Sequence, residues 1–382
     1  MKPTTEPPAS RDKLLFTPGP LTTSLSVKQA MLHDAGSWHS EFNELVAYLR
    51  EQVLAIGRVS RAQGFEMIPL QGSGTFGVEA VFSSAVPLDG KVLILANGAY
   101  GERMVQMCKH MRLNHTVLRC AENQTPDLAL LEQTLAGDAG ITHVAVVHCE
   151  TTTGILNPID EIGRVVKAAQ RLYIVDAMSS FGAIHINLVE PGIDYLISSA
   201  NKCLEGVPGF SFVIARRAAL LAVEGCARSL SLDLAGQLRG FEKNSQFRYT
   251  PPTHSVLAFA QAIHELEAEG GVTARGERYR RNHEILLAGM RRLGFRSYLP
   301  PAVQSFIITS FHFPADPAFT FLDFYHRLSE RGFIIYPGKI SQVDLFRIGS
   351  VGRLFERDLR SLLAAIGETV VDMGLALGNK PE

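Results

Sequence analysis

Between about residue 40 and residue 225, short apolar runs rich in β-branched residues recur, separated by stretches in which apolar positions return every three or four residues. The runs are FEMIPL (65–70), KVLILAN (91–97), HTVLRC (115–120), HVAVVHC (143–149), LYIVDAM (172–178), YLISSA (195–200) and FSFVIAR (210–216). Unbroken runs of this length suit strands buried on both faces, because a half-solvated strand would alternate apolar with polar. The intervening stripes predict helices at Val78–Ser84, Tyr100–Met111, Asp127–Leu135, Ile159–Gln170 and Ala218–Glu224. Strand and helix in alternation predict an α/β fold with a mainly parallel, seven-stranded sheet.

The pattern then changes. Residues 229–250 read as polar and irregular, and Ser255–Gly294 as one or two long amphipathic helices bridging two lobes. Beyond them, SFIITSFHF (305–313), FIIYPG (333–338) and FRIG (346–349) predict strands, and Glu356–Leu377 a final helix. The expected division is a flexible tail over 1–13, a large domain over 14–265 and a small C-terminal α+β domain over 266–382. The N-terminal part of the large domain is expected to serve the small lobe or the mouth of the site. A chain of 382 residues suits two unequal lobes.

Composition narrows the partners. Lys plus Arg (37) nearly cancels Asp plus Glu (38), so no net field favours nucleic acid or an anionic membrane. Five scattered cysteines without a C-x-x-C pair point to neither a disulfide framework nor a metal site. The longest apolar runs fall short of a membrane span, and a cytoplasmic location is expected by elimination.

Parallel sheets gather ligands at the carboxyl ends of their strands, and four segments there carry polar residues. In QGSGTFGVEA (71–80), small residues with Ser73 and Thr75 lead from a strand into a helix, where backbone amides and hydroxyls meet an anion. Gly72, Gly74 and Gly77 also spell the dinucleotide fingerprint G-x-G-x-x-G, but Asn97 stands where a ribose-binding acid belongs. A plain tight turn is the other reading. In ANGAYGER (96–103), Tyr100 offers a ring to stack on a planar cofactor, or a core aromatic. Asp176 ends a buried strand, where a carboxylate needs a cation, hydrogen-bond donors or a capping role. Lys202 follows another strand and is either a solvated surface lysine or a desolvated nucleophile toward a carbonyl. Together, an anion cradle, a ring, a carboxylate and a lysine at one sheet edge fit pyridoxal phosphate.

Several stretches resemble the fold-type I, class V aminotransferases: LLFTPGPL, GSWHSEFNEL, QGSGTFGVEA, ANGAYGER, HCETTTGILNPI, VDAMSSFGAI, SANKCLEGVPGFSFVIARR and FRIGSVG. The resemblance runs from about Leu14 to the C-terminus. It implies that Ser73, Gly74 and Thr75 bind the cofactor phosphate, that Tyr100 stacks on its ring, and that Thr151 or Thr153 lies near the ring hydroxyl. It also implies that Asp176 meets the pyridine nitrogen and that Lys202 forms the imine. Gly19 and Arg347 are implied for the substrate, and Tyr249 and Thr253 for the phosphate site of a homodimer partner. The LEGVPGF segment resembles the branch that takes 2-aminoethylphosphonate as donor and pyruvate as acceptor. The alternatives are a donor pair of the alanine–glyoxylate or serine–pyruvate type, a dinucleotide-dependent oxidoreductase, and a catalytically silent binding protein. Trp38 and His39 fall near the family's active-site mouth without an assigned role.

Overall fold

The computed structural model describes residues 12–338 and 343–377, so most of the expected tail lies outside the described residues. Strand β1 (Leu14–Leu15) is followed by helices α1 (Leu25–Gln29) and α2 (Ser40–Ile56). The seven expected runs supply β2 (Phe65–Gln71), β3 (Lys91–Ala96), β4 (Asn114–Arg119) and β5 (His143–Val147), then, after a small hairpin of β6 (Cys149–Glu150) and β7 (Ile155–Leu156), β8 (Leu172–Asp176), β9 (Ile193–Ser199) and β10 (Phe210–Arg216). Between them lie α3 (Gly74–Ala85), α4 (Ala99–His110), α5 (Leu128–Gly137) and α6 (Ile159–Ala168), and α7 (Arg217–Leu221) follows β10.

The large sheet has the order β2-β10-β9-β8-β5-β3-β4. Its middle strands pair in parallel, and β10 alone runs against both its neighbours, β2 and β9. The buried side chains of β3, β5, β8 and β9 form one core with α2, α3 and α4. That core explains the unbroken apolar runs, since helices cover both faces. The run expected over 143–149 is shorter in the sheet: after His148 N donates to Asp176 O at 2.8 Å, the chain leaves to pair β6 with β7.

The stretch expected to be irregular, 229–250, contains helix α8 (Leu234–Asn244). Asp233 caps it through Gly236 N, and Leu234, Ala235, Leu238 and Phe241 are buried. Helix α2 was not singled out by its pattern either, although Phe42, Val46, Leu49 and Val53 make a buried stripe at helical spacing. The long amphipathic block resolves into α9 (Thr253–Glu269) and α10 (Gly271–Arg292), separated at Gly270, whose φ is +106°.

The C-terminal part holds β11 (Ile308–His312), α11 (Phe321–Glu330), β12 (Phe333–Ile334), β13 (Tyr336–Pro337), β14 (Leu345–Gly349) and α12 (Glu356–Asp372). FIIYPG is thus two short strands rather than one, with β12 pairing in parallel with β1 and β13 pairing with β14. Helix α12 stops five residues before the expected Leu377, because Gly374 takes a φ of +65° and Leu375 N closes the end on Val370 O. A separate apolar cluster unites Phe16 with Leu286, Met290, Phe311, Phe346, Leu362 and Ile366. The N-terminal segment therefore crosses to the C-terminal region.

Candidate active site

The carboxyl ends of β2, β5, β8 and β9 converge on a cavity of about 200 Å³. Seven residues singled out in the sequence line it: Ser73, Gly74, Thr75, Tyr100, Thr151, Asp176 and Lys202. At one end, α3 begins on Ser73, whose hydroxyl makes no capping bond, so the first turn presents its amides and two hydroxyls. Gly77 lets this helix lie on the sheet: a Cβ there would stand 2.9 Å from Ile197 Cγ2 and from Ser211 Oγ. Arg103 Nη1 donates to Thr75 Oγ1 at 3.1 Å, and its guanidinium lies 4.8 Å from the centre of the Tyr100 ring. The helix start thus combines a dipole, hydroxyls and a cation, a setting for a dianion. These glycines are no dinucleotide fingerprint, since among the described residues β2 pairs only with the antiparallel β10, and β3, which follows α3, is not its neighbour in the sheet.

At the other end stand the carboxylate and the amine. Asp176 is 5% exposed, and its Oδ1 accepts from Met178 N at 2.9 Å. Burial pushes this carboxyl up to about 6, and the Glu150 carboxylate adds to the rise. Lys202 Nζ donates to Pro18 O at 2.5 Å, and burial lowers its pKa. Gly19 is part of this arrangement: a Cβ there would stand 2.6 Å from Lys202 Nζ.

Five expected residues lie outside the cavity lining. Thr153 is buried, and its hydroxyl donates to Glu122 O at 3.1 Å. Gly19 borders the site through Lys202. Arg347, on β14, donates from Nη1 to Thr151 O at 2.6 Å and from Nε to Pro337 O at 3.0 Å, so its guanidinium is tied to the backbone of the cavity wall. Tyr249 is half-exposed, with its carbonyl accepting from Gln71 Nε2 at 3.0 Å, and Thr253 begins α9. Trp38 is 83% exposed.

The sequence reading passed over Glu150. Its fully buried carboxylate accepts from Tyr100 N at 3.0 Å and Gly101 N at 3.2 Å, and from Thr152 N and Oγ1 at 3.0 and 2.6 Å. It thereby ties the start of α4, with Tyr100, to the turn that carries Thr151. The signal was the one used for Asp176: an acid directly after a buried apolar strand. Arg103, Cys149, Ser179, Ser199 and Asn201 were also passed over and line the cavity.

A family model described as Aminotransferase class-V matches residues 25–348. The chain belongs to the class V aminotransferases. Curated relatives of this class V aminotransferase from Klebsiella pneumoniae subsp. pneumoniae and from Salmonella typhimurium, both named 2-aminoethylphosphonate–pyruvate transaminase, are each 52% identical over 359 residues. The match covers 94% of this chain and 97% of theirs. The solved structures of ureidoglycine–glyoxylate aminotransferase from Bacillus subtilis and pyridoxamine–pyruvate aminotransferase from Mesorhizobium loti superpose with TM-scores of 0.88 and 0.87. Their identities are 21% and 23%, over 97% and 96% of this chain and 96% and 94% of theirs, so the likeness shows the fold.

Class V aminotransferases depend on pyridoxal phosphate. The residues of this one fit it: among the described residues only Met178 N donates to the Asp176 carboxylate, at Oδ1. The carboxylate keeps Oδ2 for a cationic donor in the cavity it lines. That cavity has a helix start with free hydroxyl donors at one end and a desolvated amine at the other.

Proposed function

We propose that this enzyme moves the amino group of 2-aminoethylphosphonate to pyruvate, giving phosphonoacetaldehyde and L-alanine in two half-reactions. One observation carries the reading. A single cavity holds Ser73, Thr75, Asp176 and Lys202, and its Thr151 wall is gripped by Arg347, in a chain half identical to transaminases of that name.

In this reading Ser73, Gly74 and Thr75 hold the cofactor phosphate, Tyr100 lies against the ring, and Thr151 stands nearer the ring hydroxyl than Thr153. Asp176 Oδ2 keeps the ring nitrogen protonated. When bound, pyridoxal phosphate supplies an aldehyde that captures amines and a ring that takes up the electron pair released at the amine-bearing carbon. Lys202 Nζ is the amine that anchors the cofactor. Burial favours its neutral form, which would carry a proton from the donor's amine-bearing carbon to the cofactor carbon that receives the amine, and back in the second half-reaction. Gly19 leaves the space in which Nζ turns. Arg347 grips the donor's phosphonate, or the acceptor's carboxylate, with its planar fork.

The enzyme works as a homodimer in this proposal, with Tyr249 and Thr253 completing the partner's phosphate site. Half-exposed Phe76, adjacent to Thr75, and half-exposed Tyr249 support a covered face there. We place the division between the lobes near residue 265 and the protein in the cytoplasm; among the described residues no helix is long and apolar enough to cross a membrane.

A panel of donors against pyruvate and glyoxylate tests the reading. The expected result is transfer from 2-aminoethylphosphonate far above that from alanine or serine, with borohydride fixing the cofactor to Lys202. Preference for serine or alanine with glyoxylate would transfer the assignment to the alanine–glyoxylate type.

A further inference from the structure

A charged cluster outside the cavity links the two residues on which the proposed function rests. Glu205 lies three positions after Lys202, and its N–H closes a turn on the Lys202 carbonyl at 2.8 Å. Its φ is +60°, a region that a non-glycine residue enters only when its surroundings hold it there. Here the side chain holds it. Glu205 Oε1 accepts from Arg278 Nη2 at 2.7 Å and from the Tyr279 hydroxyl, while Oε2 faces Arg275 Nη2 at 3.8 Å.

The same Arg278 guanidinium reaches the other side of the site. Its Nη1 donates to Gly352 O at 2.6 Å and Leu354 O at 3.1 Å, on the segment that leaves β14 just after Arg347. Its Nε donates to Glu269 at the end of α9 at 2.5 Å. The rings of Tyr279 and Phe355, with centres 4.8 and 5.1 Å away, flank its plane, and the Tyr279 hydroxyl also accepts from Gly352 N at 3.2 Å. One fork, nearly buried, therefore binds the turn after the lysine and the loop after the arginine at once. A lysine carries its three donors on one nitrogen and could not span partners on both sides as the planar fork does.

We propose that Arg278 is a positioning residue: it fixes the span between Lys202 and Arg347, and through that span sets the length of acidic amine donor the enzyme accepts. The inference rests on the roles proposed for Lys202 and Arg347. The donor's amine must reach one of them while its anion reaches the other, so the distance between them selects chain length. A contact that merely stabilised the fold would slow all donors alike. The clamp instead governs the ratio between donors that differ by one methylene.

The test compares kcat/KM for 2-aminoethylphosphonate and 3-aminopropylphosphonate in the holoenzyme, together with the bound-cofactor absorbance. A methylene in a fitted site is worth roughly 10- to 200-fold, which is the preference expected of the wild type. Arg278→Lys should keep the cofactor absorbance and lose about tenfold or more of that preference. A ratio within about twofold of wild type in the folded, cofactor-loaded variant overturns the inference, as does a wild type that uses both donors equally. If Arg278→Lys does not accumulate, Glu205→Gln, which keeps the shape and removes the charge, carries the same expectation.

Hydrogen exchange on the wild-type holoenzyme needs no variant. Backbone amides at 205–206 and 352–354 should open together, as one cooperative unit. Opening of the two segments at clearly different rates refutes the clamp. A wild type inactive on both phosphonates would count against the proposed function, and the exchange result then decides the clamp by itself.

Discussion

Replacing Asp176 by Asn has opposite consequences for the empty and the loaded protein, and the first can be worked from the structure. Burial is the main influence, the Glu150 carboxylate adds to it and the bond from Met178 N offsets part of it, so that the carboxyl rises from 3.8 to about 6 in the folded protein. The difference of about two pH units corresponds to roughly 3 kcal/mol, at about 1.4 kcal/mol per unit. Because the folded value is the higher one, the penalty is absent below about pH 4, where the group is protonated folded or unfolded. It grows as pH rises and is complete above about 6. Asn keeps an oxygen for Met178 N and has no charge to bury. Urea unfolding of the cofactor-free proteins should therefore show Asp176→Asn more stable by up to about 3 kcal/mol at pH 7.5, with the gap narrowing steadily towards pH 4. The loaded enzyme should respond in the other sense, losing most of its turnover and releasing cofactor sooner. An Asn variant no more stable than wild type at pH 7.5, or a gap that does not change with pH, would refute the conclusion that burial makes the Asp176 charge costly.

Other substitutions address the rest of the site. Arg347→Ala should raise the KM for 2-aminoethylphosphonate by roughly 10- to 100-fold, as expected when a paired charge-assisted contact is lost, while the cofactor absorbance stays unchanged; an unaltered KM removes its substrate role. Gly19→Ala puts a methyl 2.6 Å from Lys202 Nζ, so borohydride fixation and turnover should both fall sharply, and normal fixation would show that the lysine does not use that space. Glu150→Gln strips the charge that holds Tyr100 N and Gly101 N, and thermal unfolding should register a loss of about 1–3 kcal/mol with weaker cofactor binding. An unchanged midpoint would mean that the start of α4 is held by other groups.

The central sheet was legible in the sequence because its strands are buried on both faces, and burial writes itself as unbroken apolar runs. Helix α8 was not legible, since Gly236 and Gly240 depress its intrinsic propensity and the contacts of Leu234, Leu238 and Phe241 decide it from outside. Helix α12 carried an apolar stripe beyond Met373, but the left-handed Gly374 stops it. In the site, Asp176, Lys202 and the Gly74 loop announce themselves by costly residue types directly after strands. Arg103, Glu205 and Arg278 do not, because their meaning lies in partners far away along the chain: Thr75 for the first, and for the others each other and Gly352.

The reversed strand β10 has a consequence for how Lys202 can move. A parallel successor to β9 would require a crossover of a dozen or more residues, usually a helix, to carry the chain back. Reversal instead brings the chain home within residues 200–209, with Ser199 and Ser211 already paired across its base. Lys202 is mounted on a short span pinned at both ends. In the proposed reaction, where Lys202 exchanges partners, the flexible four-carbon arm would swing from a base that stays put. Little main-chain entropy is lost or regained at each exchange, and the amine remains at high local concentration beside the same carbon throughout the cycle.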